Sequence, residues 1–188
     1  MQDQATEIFL VTHGLTEWNK QNRIQGHVDT PLCKEGLHMA RCLSRRLSDR
    51  YIEGIYSSDL RRAVQTARPL ARRLGLLINV DSRLREGRSK EQEISEEFPL
   101  LPFVPEIETE QDVLLRMREV MEEIALQNQS RRVLVVSHGG AVELFINKVL
   151  EISASSLRFL NKRTAVNEIL FLDNSWLCKT LDDDGHLI

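Results

Sequence analysis

Two histidine-glycine pairs, His13-Gly14 and His138-Gly139, each stand where a run of β-forming residues stops: Ile8 to Thr12 ahead of the first and Arg132 to Ser137 ahead of the second. A strand that ends this way throws its imidazole out at the carboxyl edge of the sheet, where open α/β folds place their chemistry. Imidazole changes charge near neutral pH. It can therefore act there as nucleophile, proton carrier or donor to an anion.

Other stretches carry residues of matching chemistry. Between the strand that ends near His13 and a helix near residue 34, some twenty residues show no periodic pattern, and a loop of that length in one domain is usually functional. It holds Asn19, Arg23, Gln25 and Gly26, each able to offer an N–H to an anion. Ser57-Ser58-Asp59 reads as a helix cap and puts Arg62 in the first turn, where free amides and the helix dipole already favour negative charge. The guanidinium adds a bidentate fork suited to phosphate. Glu86 opens a charged, proline-rich stretch, and a carboxyl group covered there would be desolvated and could hold a proton as a general acid. Singly, each also has a plainer reading: Arg62 on a solvated helix face, Glu86 as a surface residue of a charged loop.

The elements that must position these groups follow from periodicity. Short runs rich in Ile, Val, Leu and aromatics predict strands at 7–12, 54–57, 77–80, 132–137, 165–172 and 176–180. Helices are predicted at 34–49, with Leu37, Ala40, Leu43 and Leu47 on one face, at 59–74, kinked by Pro69, at about 109–127, capped by Thr109 or Asp112, and at 141–150. Strands separated by helices give parallel crossovers, and so a sheet with helices on both faces. Residues 86–108, with Pro99, Pro102 and Pro105 and the apolar run 98–105, read as a loop or cap lying over something.

Bulk properties exclude several classes. A chain of 188 residues fits one domain and can bury roughly 70% of the surface that its unfolded form exposes. No apolar run approaches the ~20 residues of a membrane span, and the polar start, Met1 to Thr6, is unlike a signal peptide, so a cytoplasmic protein is expected. Cys33, Cys42 and Cys178 are odd in number and far apart, which fits neither a disulfide framework nor a metal knuckle. A net charge of −3 argues against nucleic acid as main partner, although arginines crowd the first third, where they read as solvated helix faces. Asp182-Asp183-Asp184-Gly185 reads as a solvated turn, and nothing in the pattern indicates an oligomeric state.

Taken in order, the motifs resemble those of the histidine phosphatase superfamily, in its phosphoglycerate-mutase-like branch, over residues 7–172. They are His13-Gly14 with Thr16-x-Trp18-Asn19; Arg23-x-Gln25-Gly26-x-x-Asp29-Thr30-Pro31-Leu32; Ser57-Ser58-Asp59-Leu60-x-Arg62-Ala63-x-Gln65-Thr66-Ala67; Leu84-Arg85-Glu86; and Ser137-His138-Gly139-Gly140. The resemblance implies a single domain over 1–188, a three-layer α/β/α sandwich around a mostly parallel central sheet, with residues 87–108 as a short cap over the carboxyl strand edge. It implies that His13 attacks phosphorus to form a phosphohistidine, and that His138 and Arg62 hold the phosphoryl oxygens. Asn19, Gln25, Gly26 and the Gly139 amide would fill out the pocket, and Glu86 would protonate the leaving oxygen and then activate water. As a nucleophile His13 must be neutral, so its other nitrogen is expected on a backbone carbonyl. No metal and no cofactor are expected, since cationic side chains supply the electrostatic stabilisation. His27, His38 and His186 are read as structural or exposed.

Three departures bear on activity. Thr12 stands where the family has arginine before the nucleophile, Leu15 where an acidic or amide residue is usual, and the usual Phe-Gly-x-Trp-Glu-Gly after Leu-Arg-Glu is absent. Loss of a preorganised donor costs about 10²- to 10³-fold in rate, and Arg88 or Arg23 is expected to replace part of the missing charge. The leading expectation is a metal-independent phosphomonoesterase of the acid or broad-range type acting on a small phosphorylated metabolite. The alternative is a catalytically impaired phosphate-ester-binding or regulatory homologue. A phosphoglycerate mutase is less favoured, because mutases of this branch resemble longer chains with larger caps.

Overall fold

Alternation along the first strand sets the architecture. In the computed structural model, which describes residues 5–88, 107–149 and 162–187, strand β1 (Thr6–Thr12) turns Ile8 and Leu10 to one face and Phe9 and Val11 to the other, all of them buried. Burial on both faces demands a helical layer on each side. Helices α2 (Lys34–Leu47) and α3 (Arg61–Leu74) cover one face, where Leu43, Leu47, Ala63, Ala67 and Leu70 pack on Phe9 and Val11. Helices α4 (Glu110–Gln127) and α5 (Gly139–Val149) cover the other, with Met117, Val120, Ala141 and Phe145 against Ile8 and Leu10. The expected three-layer α/β/α sandwich is observed.

The remaining strands are β2 (Ile52–Ser57), β3 (Ile78–Val80), β4 (Arg132–Ser137), β5 (Val166–Leu172) and β6 (Ser175–Asp183), in the sheet order β3-β2-β4-β1-β5-β6. Pairings among β1 to β4 are parallel, whereas β5 runs antiparallel to β1 and β6 antiparallel to β5. Thr12 lies opposite Ser137, so β1 and β4 end level with each other.

Several local expectations change. The stretch after His13 is not structureless: α1 (Glu17–Lys20) forms one turn, capped by Thr16, whose hydroxyl accepts from the Asn19 amide while the Asn19 side chain accepts from the Thr16 amide. Helix α3 has no cap from Ser57-Ser58-Asp59. Its N-cap is Leu60, and the Asp29 carboxylate takes the Arg61 amide at 2.6 Å. Pro69 lies inside α3, which continues to Leu74, held by the apolar face it buries on the sheet. The acidic tail is not a solvated turn, because Asp182 and Asp183 extend β6, with Asp183 paired to Arg46 and Asp184 to Lys162 at 2.8 Å. Of the two caps expected for α4, Thr109 is the N-cap, and Asp112 completes a reciprocal capping box with it. Residues 98–105, and most of the cap expected at 87–108, lie outside the described residues.

Two backbones meet just beyond β1. A Cβ on Gly14 would stand 2.8 Å from the Gly36 carbonyl oxygen, and one on Gly36 would stand 2.0 Å from that of Leu15. This approach of α2 to the turn after His13 is possible only without side chains. Gly36→Ala is therefore expected to cost about 3 kcal/mol, measured as a lowered urea midpoint with unchanged slope.

Candidate active site

Strand direction brings the sequence-distant groups to one edge. His13 and His138 immediately follow the level ends of the adjacent parallel strands β1 and β4, and their ring centroids are 5.1 Å apart. Strand β2 leads into α3 and Arg62, while β3 leads through a 3₁₀ turn (Ser82–Leu84) to Glu86. A cavity of about 300 Å³ opens at this edge, lined by His13, Arg62 and Glu86 together with Asn19, Arg23, Gln25 and Gly26.

His13 is 2% exposed, and its Nδ1 lies 2.7 Å from the Gly14 carbonyl oxygen. A carbonyl oxygen only accepts, so Nδ1 carries the proton and Nε2 keeps its lone pair. The Gly14 amide is in turn fixed on the Thr66 hydroxyl, 2.9 Å away, which ties the turn to α3. Burial first, and then the Arg163 and Arg62 guanidiniums, hold the His13 imidazole well below its ordinary pKa. His138 is fully buried, and neither ring nitrogen has a hydrogen-bond partner among the described residues. Burial and the Arg62 charge depress its pKa as well.

Arg62 is 1% exposed and is gripped from behind, with Nη1 donating to the Val28 carbonyl at 2.8 Å and Nη2 to that of Gly26 at 2.7 Å. Gly26 adopts a φ of 45°, which turns its carbonyl into this contact. Burial lowers the Arg62 pKa to about 10, so it stays cationic at neutral pH, and its Nε–H has no partner among the described residues.

Glu86 departs from the desolvated setting expected of it. It is half-buried, and its carboxylate accepts from the amides of Gly87 at 3.1 Å, Gly140 at 3.1 Å and Ala141 at 3.0 Å, capping the first turn of α5. Backbone donors and the helix dipole there stabilise negative charge. Gly140 permits the approach, since a Cβ would stand 2.8 Å from Glu86 Oε1.

The other predicted residues divide. Asn19 and Gln25 line the cavity, yet their side-chain oxygens face the loop: Asn19 accepts from Thr16, and Gln25 accepts from the hydroxyls of Thr16 at 2.9 Å and Thr30 at 2.5 Å. Arg23 lines the cavity with its guanidinium 3.7 Å above the Trp18 ring. Thr12 is fully buried, Gly139 begins α5, and the Arg88 backbone pairs with Glu108; these three, and the fully buried His138, are not among the lining residues.

A model of the histidine phosphatase superfamily (branch 1) matches residues 8–184. The chain belongs to this superfamily. Relatives of this chain include a probable phosphoglycerate mutase GpmB from Serratia proteamaculans (strain 568), 32% identical over 96% of this chain and 94% of its own. YhfR of Bacillus stearothermophilus superposes with a TM-score of 0.86 at 25% identity, covering 97% of this chain and 100% of that one. A phosphoserine phosphatase mutant from Entamoeba histolytica, in complex with phosphoserine, shares the fold with a TM-score of 0.81 at 20% identity, over 97% and 100% of the two chains.

Two arginines escaped the sequence reading, and a histidine read as structural or exposed proves structural. Arg163, just before β5, lines the cavity. Arg116 on α4 donates to the carbonyls of Arg83, Arg85 and Glu86 at 2.7 to 3.0 Å while paired with Glu108, and so fixes the backbone beneath Glu86. His27, read only as structural or exposed, is buried with Nε2 2.7 Å from the Glu86 carbonyl oxygen. None of the three had a pattern to mark it, because an isolated arginine or histidine in a loop or on a charged helix carries no periodic signal.

The two depressed imidazoles set a pH dependence. Folded His13 and His138 bind a proton less readily than in the unfolded chain, where the value is 6.5, so their contribution to stability is full above pH 6.5 and is lost as the pH falls below it. NMR titration of the free protein is expected to show both rings still neutral at pH 6.5.

Proposed function

We propose that this histidine phosphatase hydrolyses phosphate monoesters through a phosphohistidine on His13. The observation that carries the reading is the Nδ1 contact to the Gly14 carbonyl, which fixes the tautomer and leaves Nε2 as the nucleophile on a residue lining the cavity. Nε2 attacks phosphorus, the bond from phosphorus to the ester oxygen breaks with its electron pair on oxygen, and Glu86 in its acid form delivers the proton to that oxygen. Water then attacks the phosphohistidine, Glu86 takes its proton, and inorganic phosphate leaves as His13 is restored.

The oxygens of the transferred group meet donors with nothing else to bind. Arg62 donates two of its five N–H groups to backbone carbonyls and keeps the rest, and His138, buried behind the cavity lining beside His13, keeps the single N–H of its neutral ring unpartnered among the described residues. In this reading side chains alone stabilise the developing charge. The one group of metal-ligating side chains found among the described residues, Glu17, Cys33 and Glu35, lies off the cavity.

A second reading, phosphoglycerate mutase, is favoured by the name of the GpmB relative. There a second hydroxyl, not water, takes the phosphoryl group. Release of inorganic phosphate from a generic aryl phosphate, against interconversion of phosphoglycerates, separates the two; absence of both supports the impaired binding protein instead.

In the hydrolase, quenching during turnover is expected to trap an acid-labile, alkali-stable phosphoprotein that His13→Ala lacks. His13→Ala should lose on the order of 10⁴-fold or more in kcat, and Glu86→Gln about 10²- to 10⁴-fold. A chelator is expected to leave wild-type turnover unchanged.

A further inference from the structure

We infer that Arg163 is a second guanidinium clamp on the phosphoryl group, standing on the neighbouring strand's approach where Thr12 offers only a neutral hydroxyl; this rests on the phosphatase reading above. Placement is the first support. Because β5 runs antiparallel to β1, it is the start of β5, not its end, that reaches the carboxyl edge, with Val166 opposite Val11. The Thr164 amide donates to the Thr12 carbonyl at 3.0 Å, so the residue before it sits beside the last position of β1. Arg163 lines the same cavity as His13, Arg62 and Glu86.

Local strain is the second. Thr164 has a φ of 61°, a left-handed conformation that a β-branched residue rarely adopts, and it is fully buried. Such strain persists only where the surroundings impose it, and it gathers at functional sites. Here the turn is closed by the Ala165 amide on the Lys162 carbonyl at 3.0 Å and by the Thr164 hydroxyl 3.1 Å from His186 Nε2. The consequence is a fixed departure point for the Arg163 side chain.

Charge balance is the third. Outside the cavity, two partly or fully buried arginines are matched by carboxylates, Arg85 by Asp59 at 2.6 Å and Arg116 by Glu108 at 2.6 Å, whereas Arg62 in the cavity is held by backbone carbonyls. Arg163 is partly buried, with no ion pair among the described residues; burial lowers its pKa, and the Glu86 charge across the cavity offsets this only in part. A charge withdrawn from water without a partner is costly, and a ligand anion supplies the compensation. The cavity lining holds three guanidiniums (Arg23, Arg62, Arg163) against one carboxylate (Glu86), beside a neutral His13. That balance selects the dianion of a phosphate monoester over a singly charged diester.

The test compares Arg163→Ala and Arg163→Met, the second keeping the apolar stem and removing the charge, so that it decides if alanine fails to fold. Three quantities are read: kcat/KM on an aryl phosphate, the Kd of inorganic phosphate by calorimetry, and the His13 pKa by NMR. The clamp requires a loss of about 10²- to 10³-fold in kcat/KM, phosphate binding weakened about tenfold or more, and a rise in the His13 pKa as the neighbouring positive charge disappears. A folded variant that keeps wild-type phosphate affinity and an unmoved His13 pKa overturns it. A wild type that binds phosphate but never turns over the aryl ester sinks the phosphatase reading alone, since the Kd and pKa comparisons still judge Arg163.

Discussion

The level pairing of β1 with β4 is the constraint on which the site depends. With Thr12 opposite Ser137, the residues one step further on are neighbours, and both are histidines. Parallel strands of different length or shifted register would separate those rings by a strand repeat of about 3.3 Å or more along the strand direction. Register is itself enforced by burial on both faces, because a slip of one residue would exchange Ile8 and Leu10 with Phe9 and Val11 and mismatch two cores at once. The geometry of two imidazoles thus rests on the packing of apolar side chains that never meet a ligand.

Around that pair the protein spends its hydrogen bonds on holding groups still. His13 is fixed through Gly14, Gly14 through Thr66, and Thr66 through the Arg62 carbonyl at 2.7 Å, so imidazole and guanidinium share one chain of contacts. Glu86 is fixed from both sides, its carboxylate by α5 and its backbone by Arg116 and His27. Preorganisation of this kind is what makes fixed charges effective at a reacting centre, since nothing has to reorient when charge moves.

Much of this was readable in the sequence, for physical reasons. Strands buried on both faces announce themselves as short apolar runs, and amphipathic helices by their spacing, so the six strands and four long helices were found within a few residues. The positions of His13, Arg62 and His138 were readable because strand ends and helix starts have recognisable grammar, whereas Glu86 stood out only through the resemblance of Leu84-Arg85-Glu86 to a family motif. What escaped has a common cause. Arg163 precedes an antiparallel strand, and the expectation that function follows strands holds only for parallel ones. Arg116 acts through long-range contacts to carbonyls, more than thirty positions away for two of them, a relation without sequence signature. The Glu86 environment was misjudged because the partner that cradles it, the first turn of α5, begins more than fifty residues later.

The occupation of the α5 amino terminus by Glu86 has a consequence for how ligands are held. In many nucleotide-binding folds that seat of backbone amides receives the phosphate, and amides cannot be titrated. Here an internal carboxylate sits on it, so the incoming anion is left to imidazoles and guanidiniums. In the proposed reaction, grip on the substrate is thereby delegated to side chains whose strength a change of acidity or a single substitution can alter, so that such a scaffold could retune its appetite for different esters without touching its main chain.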